Sequence, residues 1–268
     1  MVIPCSKSHC SPACIIQPSA SASNRRWKIA NQDLTPVRAG VDVKRIERAV
    51  VLAAGLGTRL KWLTTERPKA LMRVHGEPVI AHVIRRLVAQ GVREIAVNAH
   101  HHAEQLQRYL GDGSAFGCHV VISHEPSLLD SGGGVKQALA LLPGDGPVAV
   151  WNADVLSDID VQALAGAWSQ QGAMIALVAN PDHHPHGDFG LEHGRVVADG
   201  SPRYTFAGVS VWDAGVFEAY GAGDAFSLTV PMRRLIAAGD CSGKLHHGEW
   251  FDIGRPRDLL RASRHQGR

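Results

Sequence analysis

Three stretches of this chain carry residues able to handle phosphate. The first is Ala53-Ala54-Gly55-Leu56-Gly57-Thr58-Arg59, followed by Lys69 in Arg67-Pro68-Lys69. Glycines let the backbone approach a phosphate chain closely, and successive N–H groups form an anion nest. The spacing is not the dinucleotide fingerprint, because Leu60 holds the third glycine position. Nor is it a P-loop, because no Gly-Lys-Ser/Thr follows.

The second stretch is split between two places. Asp154 follows Val150-Trp151-Asn152-Ala153, and Asp252 lies in Trp250-Phe251-Asp252-Ile253-Gly254. A carboxylate at the end of an apolar strand sits at the carboxyl edge of a sheet, where open α/β folds bind ligands. It is unfavourable there unless paired or metal-bound. A helix N-cap or turn would account for one such residue. Two fit a shared Mg²⁺ site better, since Mg²⁺ takes a few hard oxygens and completes its shell with phosphate. The third stretch, Asp130-Ser131-Gly132-Gly133-Gly134, opens a helix and offers N–H donors unobstructed by side chains.

The histidine clusters carry less. His100-His101-His102, His183-His184-Pro185-His186 and His246-His247 lack a Cys or Glu that would complete a tetrahedral set, so they read as loop or surface residues. Trp151, Trp168, Trp212 and Trp250 read as core.

These residues need a scaffold, and the apolar pattern supplies one. Ala49 to Ala54 is a continuous apolar run, as expected of a strand buried on both faces. Helical spacing from Pro78 to Gln90 stops at Gly91. Strands follow at Glu94–Asn98, His119–Ser123 and Pro147–Asn152, with helices at His101–Leu110 and Ser131–Leu142 between them. The alternation predicts an α/β fold: a Rossmann-like, doubly wound, mostly parallel sheet with helices on both faces. Beyond Asp160 it loosens into helices at Val161–Gln170, Ser227–Ala238 and Pro256–His265, with short strands between.

Composition narrows the class. The 268 residues are 45% hydrophobic and 20% charged, which excludes a disordered or fibrous chain. No apolar stretch is long enough for a membrane span. Residues 1–48 hold eight Lys/Arg against three Asp/Glu, leaving 20 basic against 22 acidic residues, the wrong balance for coating nucleic acid. Residues 1–47 are aperiodic and Ser/Pro-rich and read as a disordered extension or a mis-assigned start. A single domain is expected over 48–268. Five cysteines, three of them Cys5, Cys10 and Cys14, suggest no disulfide framework, and the expected compartment is the cytoplasm.

Gly55-Leu56-Gly57-Thr58-Arg59 with Pro68-Lys69 resembles the signature of the sugar-1-phosphate nucleotidyltransferases. Asn152-Ala153-Asp154 and Trp250 to Gly254 are similar to that family's two metal-binding segments. Asp130 to Gly134, Gly187-Asp188-Phe189 and Thr205 to Ser210 resemble the short N-acetylmuramate-1-phosphate uridylyltransferases of peptidoglycan recycling. The likeness spans about residues 48 to 262. The sequence departs from the pattern at Leu60-Lys61-Trp62-Leu63-Thr64, at Ala70 after Lys69, and at Asp130-Ser131.

The resemblance implies the nucleotide-diphospho-sugar transferase fold, UTP and a sugar-1-phosphate as partners, and Mg²⁺ on Asp154 and Asp252. It implies no nucleic acid, no membrane, and a monomer or weak dimer. Ala53, Ala54, Gly55, Leu56, Gly57, Thr58, Gly132 and Gly133 would meet the nucleotide. Arg59 would hold the β/γ-phosphates and Lys69 the α-phosphate, while Asn152, Asp188 and Gly208 would meet the acceptor. The alternatives are thymidylyl, guanylyl or cytidylyl transfer to another phosphate, or a non-catalytic nucleotide-sugar sensor on the same fold.

Overall fold

The computed structural model describes residues 45–57 and 64–265. Residues 1–44, on which most of the expected extension falls, lie outside the described residues. So do 58–63, with Thr58 and Arg59, and 266–268.

The first strand, β1 (Arg48–Leu52), leads through a small ribbon, β2 (Arg73–Val74) and β3 (Glu77–Pro78), into helix α1 (Val79–Ala89). Then come β4 (Glu94–Ala99), α2 (Ala103–Leu110), β5 (His119–His124), α3 (Asp130–Leu139) and β6 (Val148–Asn152). Next follow β7 (Val155–Ser157), α4 (Val161–Gly166), β8 (Ala173–Val178), β9 (Phe189–Glu192), β10 (Arg195–Val197) and β11 (Arg203–Trp212). The chain continues through α5 (Thr229–Ala238), β12 (Cys241–Leu245), β13 (Trp250–Asp252) and α6 (Pro256–Arg264).

Nine strands form one sheet in the order β5-β4-β1-β6-β11-β8-β12-β10-β9. The half that carries the glycine loop and the Asp154 loop, β5-β4-β1-β6, is parallel throughout. β11 then runs antiparallel to both β6 and β8, and β12 returns parallel to β8. Strand β12 was not anticipated, because Cys-Ser-Gly-Lys-Leu lacks a sustained apolar run.

The continuous apolar run at β1 has a simple cause. Ala49 and Val51 enter the core on one face of the sheet, and Val50 enters the core on the other. β6 repeats this, with Ala149 and Trp151 on one side and Val148 and Val150 on the other. Helix α1 buries Val79, Ile80, Val83, Ile84 and Leu87 as a single stripe, and Gly91 at φ +98° ends its run. Among the described residues no helix is long and apolar enough to cross a membrane.

β4 and β6 flank β1 on opposite sides, so successive connections diverge there. Such a switch point opens a crevice at the carboxyl ends of the strands. Leu52 pairs with Asn152 and with Asn98, which brings three loops to one edge.

Candidate active site

The glycine loop leaves β1 at this edge. Asn98, 2% exposed at the end of β4, fixes its first turn. Asn98 Oδ1 accepts from the Ala53 amide at 2.6 Å and from the Ala54 amide at 3.3 Å. Both of these amides therefore already have a buried acceptor. Gly55, Leu56 and Gly57 have amides without an acceptor among the described residues, and a Cβ at Gly55 would meet nothing within 4 Å.

Asn98 is itself anchored. Its Nδ2 donates to Glu125 Oε1 at 2.8 Å, and Glu125 Oε2 accepts from the Leu129 amide at 3.0 Å. Glu125 is 0% exposed. A Cβ at Gly134 would stand 2.4 Å from Asn98 Nδ2 and 2.6 Å from Glu125 Oε1. That glycine therefore makes room for the polar network.

The other two glycines of α3 serve packing too. The Gly132 and Gly133 amides donate to the Phe226 carbonyl at 2.8 and 3.1 Å. A Cβ at Gly133 would lie 2.2 Å from the Asp224 carbonyl oxygen. Their expected role as unobstructed donors is thus corrected: the donors face protein, and the missing side chains admit the 224–226 segment.

Lys69 projects from a short 3₁₀ turn, Lys69–Leu71, entered from extended Pro68. Its Nζ pairs with Asp154 Oδ2, and both side chains are largely buried, at 12% and 24% exposed. Gly57, at φ +63°, lies so close that a Cβ would stand 3.2 Å from Lys69 Cβ. Asp252 belongs to β13, which pairs antiparallel with β7 and places Asp252 opposite Val155. The Ile253 amide donates to the Asp154 carbonyl at 2.9 Å, tying the two carboxylate-bearing segments together.

Asp154 is the wall between two clefts. The first, about 260 Å³, is lined by the glycine loop and by Lys69, Asp154 and Gly254. The second, about 330 Å³, is lined by Asp154, Asp252, Asn152, Gly208, Trp250 and Arg255, among others. Asp154 and Asp252 thus share one cleft and offer carboxylate oxygens only. No group of three or more His, Cys, Asp or Glu that could hold a metal occurs among the described residues. Two carboxylates in an open cleft suit Mg²⁺, which keeps room for water and phosphate oxygens, better than a metal that needs a closed protein cage.

Asp188 does not line the second cleft but fixes groups that do. Its Oδ2 accepts from the Phe206 amide at 2.8 Å, and its Oδ1 lies 3.0 Å from His184 Nε2. His183 and His184 stand on the connection between β8 and β9, in keeping with the loop reading, and are half-buried where they line the cleft. Trp250, expected in the core, is only half-buried and lines the cleft as well. Its Nε1 donates to the Ala207 carbonyl at 2.9 Å. Trp151, Trp168 and Trp212 are buried as anticipated.

Asn98, Glu125 and Arg255 were not singled out by sequence. A signal existed for the first: an Asn inside the apolar run Ile95-Ala96-Val97-Asn98-Ala99 needs a buried partner.

The profile of the nucleotidyl transferase family matches residues 48–267. The chain is 38% identical over 215 residues to an N-acetylmuramate alpha-1-phosphate uridylyltransferase of Neisseria meningitidis, covering 77% of this chain and 93% of the relative. It is 37% identical over 235 residues to one of Caulobacter vibrioides, covering 80% and 94%. Among solved structures, HddC from Yersinia pseudotuberculosis complexed with GMP-PN superposes with a TM-score of 0.70 at 22% identity, covering 81% of this chain and 98% of that one. A UDP-glucose pyrophosphorylase complexed with UDP-glucose superposes at 0.67 and 17% identity, covering 81% and 97%. These two likenesses establish the fold.

Proposed function

The chain belongs to the nucleotidyl transferase family, and from that premise we propose that it moves UMP from UTP onto N-acetylmuramate-1-phosphate and releases pyrophosphate. The observation that carries this reading is the pair of clefts meeting at Asp154. A transfer between two phosphate-bearing substrates needs two adjoining sites with one shared wall.

UTP occupies the first cleft. The Gly55, Leu56 and Gly57 amides face its phosphates, and the Asn98–Glu125 network holds that turn before substrate arrives. The acceptor occupies the second cleft, with Asn152 beside Gly208 and with His184 held by Asp188.

The acceptor phosphate supplies its own nucleophile, since its second pKa is about 6 and it is largely dianionic at neutral pH. No general base is required. Its oxygen attacks the α-phosphorus in line. The new P–O bond forms as the bond to the β-phosphate oxygen breaks, and pyrophosphate carries away the electron pair. Lys69 lies at the wall between the clefts and offsets charge on the α-phosphoryl oxygens. Arg59, by its place in the signature, is assigned to the departing pyrophosphate. Asp154 and Asp252 would hold Mg²⁺, which when bound would offset negative charge on the phosphates.

The test is selectivity. Pyrophosphate release is measured with each of four nucleoside triphosphates against a panel of sugar-1-phosphates. UTP with N-acetylmuramate-1-phosphate should give the highest kcat/KM. A higher value for another pair reassigns the substrates, and no release with any pair leaves a non-catalytic sensor.

A further inference from the structure

Asp154 and Asp252 both line the second cleft, so an incoming phosphate meets like charge there. Lys69 answers Asp154 from the side of the first cleft. Among the described residues lining the second cleft, Arg255 alone carries a permanent positive charge. It is half-buried, and its guanidinium has no hydrogen-bond or ion-pair partner among the described residues. A partly desolvated fork of donors with no protein acceptor is suited to a ligand that brings acceptors.

Chain placement says which part of the ligand. Asp252 ends β13, Gly254 lines the first cleft, Arg255 lines the second, and α6 starts at Pro256. The Ile253 amide holds this four-residue segment against the Asp154 carbonyl. Arg255 therefore stands where the clefts adjoin, and that is where the attacking oxygen must be. His183 and His184 reach the cleft from a different connection, between β8 and β9.

We infer that Arg255 binds the phosphate of the acceptor and holds its attacking oxygen toward the first cleft. This rests on the transfer reaction proposed above. Arg255→Gln and Arg255→Lys test it, with KM measured separately for each substrate. In Arg255→Gln the KM for N-acetylmuramate-1-phosphate should rise by about 10- to 100-fold while that for UTP stays within about two-fold, as expected for loss of a charge-assisted contact to one substrate. Arg255→Lys should fall between, and neither change should move the melting temperature. An acceptor KM at the wild-type value, or a UTP KM rising in parallel, overturns the assignment.

Free N-acetylmuramate, which keeps the sugar carboxylate and lacks the phosphate, separates the two acidic groups. Its inhibition should be the same in wild type and Arg255→Gln, or absent in both. Inhibition lost in Arg255→Gln alone would place Arg255 on the carboxylate and overturn the inference. A wild-type protein that turns over no acceptor fails the transfer reading. Turnover with an unchanged Arg255→Gln KM fails only this one.

Discussion

Gly208 leaves the space that Asn152 fills: a Cβ at Gly208 would lie 2.7 Å from Asn152 Nδ2, and the backbone there has φ +75°. Gly208 lies where the register of β11 against β8 shifts, between Phe206 and Ser210. Both residues line the second cleft. Gly208→Ala should therefore displace Asn152 and weaken acceptor use by about 10- to 100-fold, the size of effect a small misplacement has on a reacting pair. Steady-state kinetics with the acceptor varied would read this, and the KM for UTP should hardly change.

Under the proposed reaction, Asp154→Asn and Asp252→Asn should each lower kcat by about 10²- to 10³-fold, since each would remove a charge from the place where the transferring phosphate is held. Both should also weaken Mg²⁺ binding measured by calorimetry. Asp154→Ala should further destabilise the fold by about 1–3 kcal/mol, because Lys69, 12% exposed, loses its partner. A Lys69→Met, Asp154→Ala double variant should recover much of that loss in a denaturant titration while staying inactive.

The glycine loop depends on a residue far from it in sequence. Asn98→Ala removes the acceptor for two amides and leaves Glu125 Oε1 without its Nδ2 donor. The expected loss is about 2–3 kcal/mol of stability, together with a raised KM for UTP. Glu125→Ala should act in the same direction on both readouts. Wild-type KM for UTP in either variant would show that the loop holds its shape unaided.

The parallel half of the sheet is legible in the sequence and the other half less so. The apolar runs of β1 and β6 and the stripe of α1 announce themselves by period. β12 is polar at Ser242 and Lys244 and finds its place only by pairing with β8. The site divides likewise. Residues with a chemical signature of their own, Lys69, Asp154 and Asp252, stand out in a linear reading. Asn98 and Glu125 do not, because their meaning lies in a contact across two strands. The acceptor of the Gly132 and Gly133 amides is not legible in the sequence, because a glycine-rich helix start looks the same whether it faces an anion or a carbonyl such as that of Phe226.

Burial pushes the Cys241 thiol up to about 12, from an ordinary value near 9. The folded state then keeps its proton where the unfolded state has lost it. Stability from this group is complete below pH 9 and is lost as pH rises from about 9 toward about 12. The melting temperature of the wild type should fall more steeply over that range than that of Cys241→Ala. Equal slopes would remove Cys241 as a cause of alkaline loss. Native protein at pH 8 should also leave Cys241 unreacted with iodoacetamide.

The central event of the proposed reaction is transfer of UMP from UTP to the acceptor phosphate where the two clefts meet. UTP radiolabelled at the α-phosphorus is incubated with the full-length protein and N-acetylmuramate-1-phosphate, and the products are separated. The label should appear in a UDP-sugar, with one unlabelled pyrophosphate released for each. Neither product should form when the acceptor is omitted. Label that stays in UTP, or that appears as free UMP whether or not the acceptor is present, would contradict the account.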